Sequence, residues 1–209
     1  MREISEIQFT TDQETENRQL IDQYVLDAVD RLPGEEFCSY AAFMPVSEDK
    51  IESNHVWLMV AGDVDAIVDH ESETWETLVA DGFVTEWVVT GVTDDWYRKA
   101  GEQGGELLLR LHRIANQATR AAFQEFETAP AAIDAYPGEG SKHPIGWWML
   151  LHALAGHQEY TPDETVDLFL HGLKQACKDL DKFESSRDAQ RRIDDCIHAL
   201  ETLQNEIGA

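Results

Sequence analysis

Residues 161–183 read TPDETVDLFLHGLKQACKDLDKF, and this stretch decides how the second half of the chain folds. Thr161 is a favourable helix N-cap, Pro162 suits the first helical position, and Glu164 stands where its side chain can bond back to the cap. The residues that follow have the three- and four-residue spacing of one apolar helix face. They are Val166, Phe169, Leu170, Leu173, Cys177, Leu180 and Phe183. The stretch therefore predicts an amphipathic helix that begins at Pro162.

A second helix of the same kind follows. Ser185 and Ser186 interrupt the first helix and can cap the next one. Its apolar residues are Ile193, Cys196, Ile197, Leu200, Leu203 and Ile207. Two amphipathic helices joined by a short turn pack against each other in opposite directions. We therefore predict an antiparallel helical hairpin at the C-terminal end, with Cys177 and Cys196 at similar distances from its turn.

Towards the N-terminus, residues 106–126 carry another helical stripe, which includes Leu108, Leu111 and Ala115. The glycines just before it favour a break in the helix. They are Gly101, Gly104 and Gly105.

The first 92 residues have a different pattern. A helix from Thr11 or Asp12 to about Leu32 is followed by β-branched and aromatic segments typical of strands. These segments are residues 37–44, 55–60 and 83–92, with a helix at 62–82 before the last of them. The order helix, strand, strand, helix, strand predicts a small sheet with helices packed on it.

The predicted fold is α+β and dominated by helices. A small N-terminal three-stranded sheet with helices occupies residues 1–92, and a helical bundle that ends in the antiparallel hairpin occupies residues 93–209. The sequence leaves open whether these two parts pack as a single domain.

The charge balance indicates the solvent in which the protein works. The chain has 41 acidic and 16 basic residues, a net charge of −25 over 209 residues. Such an excess of like charge repels itself in dilute buffer, and at 1 M salt the screening length falls to about 3 Å. We interpret the chain as a halophilic protein from a haloarchaeon or a virus of one.

The remaining composition bounds the compartment. Three cysteines without a metal-binding spacing fit a reducing cytoplasm. The longest uncharged run, residues 143–158, is too short to span a bilayer. The first residues lack the apolar core of a signal peptide. We expect a soluble cytoplasmic protein, or a virion component, with no membrane contact.

Basic residues are rare, so their positions are informative. Arg113, Gln117 and Arg120 share a helix face within residues 107–124, which contain no acid. A lysine stripe with four-residue spacing and a group of arginines follow in the hairpin. The predicted interaction surface comprises Arg113, Arg120, Lys174, Lys178, Lys182, Arg187 and Arg191. These cations either pair with the protein's own acids or bind an acidic protein partner or another copy of the chain.

Salt argues against nucleic acid as the partner. With about four phosphate contacts, affinity falls as about the 3.6th power of the salt concentration. Between 0.2 M and 3 M salt this amounts to about four orders of magnitude. The sequence also lacks the signatures of the common nucleic-acid-binding modules.

A cluster of histidines provides an enzymatic alternative. His152 and His157, with Glu159 beside them, are residue types that bind zinc or iron. A five-residue spacing places the two histidines about 140° apart on a helix, so they do not share a face. On the strength of these residue types, a metal-dependent, hydrolase-like enzyme is the second interpretation, with zinc or another transition metal as its cofactor.

Arg192 and His198 are separated by five residues, a spacing that resembles the arginine–histidine signature of HEPN ribonucleases. The resemblance implies a general-base histidine and a phosphate-binding arginine. Ile193 stands where that signature favours a polar residue, and the two positions diverge by about 240° on one helix. A HEPN-like ribonuclease is thus a remote alternative, one that needs a partner chain to complete its site.

The sequence favours a non-enzymatic role and leaves an enzymatic one open. We expect an interaction, assembly or accessory subunit that binds a protein partner or itself and has no cofactor.

Overall fold

The computed structural model describes residues 4–12, 14–44, 55–90, 101–125, 160–182 and 186–207. The chain divides into two compact units, Met1–Leu109 and Arg110–Ala209. The predicted domain boundary after residue 92 stays a prediction.

The N-terminal unit contains a four-stranded antiparallel sheet with the strand order β2–β3–β1–β4. Its strands are β1 (Ser5–Thr10), β2 (Cys38–Met44), β3 (His55–Gly62) and β4 (Glu86–Thr90). The helical connection from β1 to β2 consists of α1 (Glu14–Leu20), a π-helical turn (Ile21–Val25), α2 (Leu26–Arg31) and a 3₁₀ turn (Leu32–Gly34). Helix α3 (Val64–Ala80) connects β3 to β4. This βαββαβ connectivity is the ferredoxin-like arrangement, which hosts many unrelated functions.

The predicted α+β class is confirmed, but the predicted count of three strands is wrong, because Ser5–Thr10 forms a fourth. This strand pairs with both β3 and β4 and is therefore interior to the sheet. Ser5, Ile7 and Phe9 are buried on one face, while Glu6 is buried on the other. The strand is buried on both faces but contains polar residues, so it lacks the continuous apolar run that usually indicates such a strand. The alternation of polar and apolar residues at positions 6–10 was the available signal.

Aromatic rings fill the core between the sheet and its helices. The Phe9 ring makes edge contacts with Tyr24 and with Trp75, both at 5.8 Å between ring centroids. Trp75 also lies 4.8 Å from the ring of Trp87 on β4. Edge-to-face pairs of this kind add stability beyond the area that they bury. The helices α1–α2 and α3 are thus fixed on the same face of the sheet.

The turn from β3 into α3 depends on Gly62. Its φ is +145°, and a Cβ built on it would lie 2.1 Å from the carbonyl oxygen of Phe37. The next residue, Asp63, donates its backbone N–H to that same oxygen at 2.9 Å. The Asp63 carboxylate then caps α3 by accepting the N–H of Ala66.

Helix α4 (Gly101–Glu125) runs without interruption through the three glycines that were expected to break it. Each glycine costs the helix about 1 kcal/mol relative to alanine. Packing at the start of the helix compensates: Leu109 is buried with Tyr40 and Met59 in a cluster on the second face of the sheet. The hydroxyl of Tyr40 also donates to the carbonyl oxygen of Leu109 at 3.1 Å.

The C-terminal unit contains α4 from Arg110 onward, α5 (Pro162–Lys182) and α6 (Arg187–Ile207). The capping box that the sequence predicts is present. Thr161 donates its N–H to Glu164 Oε2 at 2.9 Å, and Glu164 returns its own N–H to Thr161 Oγ1 at 3.4 Å. Ser186 caps α6 by accepting the N–H of Ala189 at 3.2 Å.

The predicted antiparallel hairpin is confirmed by cross-helix contacts whose residue numbers run in opposite directions. Gln190 donates to Asp181 near the turn, and Gln204 donates to Asp167 at the far end. Between them, Cys177 Sγ lies 3.9 Å from Asp194 Oδ1. Cys196 is buried and directs its sulfur to the carbonyl oxygen of Ile114 on α4.

Helices α4 and α6 are also antiparallel. Arg110 Nη1 lies 2.7 Å from Glu206 Oε2 at one end, and the N–H of Ser186 donates to Glu125 Oε2 at 3.0 Å at the other. Helix α6 therefore packs against both α5 and α4. Its buried stripe comprises Ala189, Ile193, Cys196, Leu200 and Leu203. Among the described helices, none is long and apolar enough to cross a membrane.

Candidate functional site

A groove between α4 and α6 is the strongest candidate site in the C-terminal unit. Its volume is about 320 Å³, within the range of small-ligand pockets. The residues that line it are Arg113, Ile114, Gln117, Arg191, Arg192, Asp195, Cys196 and Ala199. We call it the arginine groove. The positions follow the three- and four-residue spacing of a single face on each helix, which explains how two helices present them together.

Arg192 is held in place by the groove itself. Its Nε donates to Asp188 Oδ2 at 3.0 Å, and its Nη1 donates to Gln117 Oε1 on the opposite helix at 3.5 Å. Arg191 donates to the other oxygen of Asp188. The hydrogen bond from Arg192, with the charges of both arginines, lowers the pKa of Asp188. Asp188 therefore stays ionised and aligns the two guanidinium groups at the edge of the groove.

Arg113 has a different environment. It is exposed, and within the described residues its side chain forms neither an ion pair nor a hydrogen bond. In a chain with 41 acids, an arginine that has no counter-ion among the described residues is available to a ligand. The lining residues include three arginines and one aspartate, Asp195, and Asp188 pairs with two of those arginines, so three positive and two negative charges leave the groove with one net positive charge on a strongly anionic protein.

The floor of the groove is apolar. It is formed by Ile114, Cys196 and Ala199. Burial, with a smaller contribution from the charge of Asp195, raises the pKa of Cys196 to about 12. The thiol is therefore protonated at neutral pH and behaves as a small apolar group rather than a nucleophile.

The structure brings two of the seven predicted interaction residues together in the groove, Arg113 from α4 and Arg191 from α6. Of the others, Arg120 is half-buried on α4, and Lys174 pairs with Glu201 at 3.5 Å. Lys178 and Arg187 are exposed outside the groove. Lys182 is the last residue of α5, and its side chain lies outside the described part of the chain.

Sequence reasoning did not include Asp195 and Cys196 in this site, and it placed Arg192 in a different one. The four-residue spacing of Arg191 and Asp195 indicates a shared face of α6, which was the available signal. The facing positions on α4 are more than seventy residues away, so no local spacing could supply them.

The enzymatic alternatives stay predictions. The proposed metal ligands His152, His157 and Glu159 lie outside the described residues. Within the described ranges, no group of three histidine, cysteine, aspartate or glutamate side chains is arranged to hold a metal ion. For the HEPN-like pair, Arg192 lines the groove, whereas His198 is exposed and is not one of the lining residues described above.

The N-terminal unit contains a buried polar cluster that sequence reasoning missed. Glu71 is 1% exposed and accepts two hydrogen bonds from Arg31 and one, at 2.9 Å, from the hydroxyl of Tyr24. His70 Nδ1 lies 2.7 Å from its other oxygen, and Trp75 donates to Tyr24. Both carboxylate oxygens are thus occupied by protein groups.

The sequence signal for this cluster was the position of Glu71 among the apolar residues of α3. Glu71 stands four residues from Ile67 and four from Trp75, so a carboxylate falls in the apolar stripe. Burial alone would raise the pKa of Glu71, but the hydrogen bonds from Arg31, Tyr24 and His70 lower it below its ordinary value. The cluster therefore acts as a structural ion pair that joins α2 to α3.

Comparison with protein-family models, curated protein sequences and solved structures finds no match to this chain.

Proposed function

We propose that this protein is a non-catalytic interaction or assembly subunit of a salt-rich cytoplasm, or of a virion formed there. Its arginine groove binds a carboxylate-bearing segment of a protein partner. The observation that carries the proposal is the convergence of Arg113, Arg191 and Arg192 from two helices on one groove. The same chain has 41 acidic and 16 basic residues, so a cationic groove is a departure from the rest of its composition.

The chemistry of the groove suits carboxylates. A guanidinium presents a planar fork of donors that matches both oxygens of a carboxylate. Asp188 and Gln117 already orient Arg192, so part of the conformational entropy is lost before a ligand arrives. Arg113 supplies a further fork from the opposite helix.

High salt limits this interaction to direct contact. At 1 M salt the screening length is about 3 Å, so charges do not steer a partner from a distance. A bidentate contact at hydrogen-bond distance is shorter than that length and persists. The apolar floor adds about 25 cal/mol for each Å² of buried apolar surface, a contribution that salt does not weaken.

The groups in the groove favour binding over catalysis. The pKa of Cys196 is about 12, which keeps the thiol protonated. The guanidinium groups of Arg191 and Arg192 are engaged by Asp188. Arginine stays protonated throughout the physiological range and does not act as a general acid or base.

Fluorescence anisotropy of labelled hexaglutamate, measured between 0.5 and 3 M KCl, tests the proposal. We expect wild-type protein to bind the peptide and the Arg113→Glu/Arg191→Glu variant to bind at least tenfold more weakly. Arg192 is left intact because it contacts both helices. Circular dichroism verifies that each variant is folded.

The matched control is Lys178→Glu/Arg187→Glu, which changes the net charge by the same amount at exposed positions outside the groove. Its affinity is expected to stay within twofold of wild type. Absence of binding by wild-type protein, or equal loss in the two variants, would overturn the proposal.

A further inference from the structure

Helix α3 presents an acidic stripe on its outer face. Asp65, Asp69 and Glu73 are four residues apart, exposed, and within about 80° of one another around the helix axis. Among the α-helices that the structure describes, α3 alone contains no lysine or arginine. The stripe therefore has no basic side chain of its own helix beside it.

Contacts on the buried face of α3 fix the orientation of the stripe. Ile67, Glu71 and Trp75 form the buried face of α3, and Arg31 and Tyr24 hold Glu71 against α2 and its preceding turn. A helix anchored in this way cannot rotate its acids inward. Within the described residues, the carboxylates of Asp65, Asp69 and Glu73 form no ion pair, so they are available to a cation from outside.

The spacing of the stripe is compatible with the arginine groove. Successive carboxylates four residues apart are separated by about 6 Å along a helix, and the axes of helices in contact lie about 8–10 Å apart. The long, flexible arginine side chains span the difference, so two neighbouring carboxylates of the stripe can reach arginines on both walls of the groove.

We propose that the acidic stripe of one copy of this protein binds in the arginine groove of a second copy, an inference that rests on the proposed function and names its partner. Charge decides between the possible arrangements. A symmetric contact of groove with groove, or of stripe with stripe, opposes like charges and is unfavourable. Only a contact of stripe with groove joins opposite charges.

This contact has a consequence for the assembly. A single contact between one stripe and one groove is heterologous, leaves one free stripe and one free groove, and leads to closed rings or open chains. Two copies related by a twofold axis can instead form both contacts at once and close as a dimer. In either arrangement the protein is expected to self-associate as its concentration rises.

Complementation between two variants tests the inference. The groove variant is Arg113→Glu/Arg191→Glu, and the stripe variant is Asp69→Lys/Glu73→Lys. Sedimentation velocity at 1 M KCl should show concentration-dependent association of the wild-type protein and a monomer for each variant alone. An equimolar mixture of the variants should associate again, because the intact stripe of the groove variant meets the intact groove of the stripe variant, and the two charge-reversed surfaces also carry opposite charges.

The control for the stripe is Asp22→Lys/Glu86→Lys, which makes the same charge change at exposed acids of the same unit. It is expected to associate within twofold of wild type. The inference fails if the wild-type protein is monomeric at every concentration, if either variant still associates, or if the mixture stays monomeric.

The two proposals fail separately. If hexaglutamate binds in a groove-dependent manner while the wild-type protein is monomeric, self-association is wrong and the proposed function stands. If hexaglutamate does not bind at all, both proposals are wrong.

Discussion

Arg31 donates two parallel hydrogen bonds to Glu71, from Nη1 to Oε1 at 2.6 Å and from Nη2 to Oε2 at 2.9 Å. The pair joins residues that are forty positions apart in sequence and fixes α2 against α3. Fork-to-fork pairs of this kind are the strongest geometry available to arginine and a carboxylate. The Glu71 side chain is 2% exposed, so salt screens the pair much less than it screens surface charges.

Replacing Glu71 with glutamine should destabilise the protein by about 2 kcal/mol, because the buried side chain loses its charge-assisted hydrogen bonds from Arg31, which is itself partly exposed. Urea unfolding at fixed KCl measures the loss. The matched control is Asp27→Asn, which removes an exposed carboxylate from the same arginine and should cost less than about 1 kcal/mol. Equal losses for the two variants would show that burial of the Arg31–Glu71 pair has no special role.

The same pair predicts a pH dependence. Hydrogen bonds from Arg31, Tyr24 and His70 outweigh burial and lower the pKa of Glu71 in the folded protein. The resulting stabilisation is complete above the ordinary glutamate pKa of about 4.3 and is lost as the pH falls through the lower, folded value. The difference in unfolding free energy between wild type and Glu71→Gln should shrink as the pH falls below about 4. A difference that stays constant down to pH 3 would contradict this account.

Gly62 should tolerate no side chain. A Cβ at this position would lie 2.1 Å from the carbonyl oxygen of Phe37, and its φ of +145° is one that other residues rarely adopt. We expect Gly62→Ala to lower the unfolding free energy by at least about 2 kcal/mol. Gly34→Ala is the control, since a Cβ there meets no atom within 4 Å. If the two substitutions have the same effect in urea unfolding, the close approach of residue 62 to Phe37 is not the cause.

The excess of acids predicts that folding depends on salt. The unfolding free energy should rise by several kcal/mol as KCl increases from 0.2 to 3 M, as screening removes repulsion within a chain of net charge −25. The contribution of the Arg31–Glu71 pair, measured as wild type minus Glu71→Gln, should change little over the same range. A protein that is equally stable in nearly ion-free water would contradict the halophilic interpretation.

The sequence predicted those parts of the fold that are encoded locally. The apolar periodicity and caps of α5 and α6 gave the hairpin, and the β-branched runs gave β2 and β3. Strand β1 was not predicted, because its glutamate, glutamine and threonine alternate with the buried apolar residues, so the segment contains no continuous apolar run. The continuation of α4 through its glycines was not predicted either. Contacts with residues distant in sequence outweigh the free-energy cost of glycine in a helix.

The candidate site was predictable only in part. Local spacing placed Arg113 and Arg191 on helix surfaces, but their meeting across α4 and α6 is a tertiary fact that no periodicity contains. Glu71 was hidden for another reason: among 41 acids, one carboxylate on an apolar stripe is easily taken for part of the solvated surface. Its spacing from Ile67 and Trp75 distinguishes it from the rest.

The two reciprocal hydrogen bonds between Thr161 and Glu164 form within four consecutive residues. The point at which α5 begins is therefore written into the peptide itself and needs no neighbour to define it. An excised fragment of residues 160–182 would start its helix at the same residue, even in a population where most molecules are unwound. Nuclear Overhauser contacts in such a fragment would register that boundary before any tertiary partner exists.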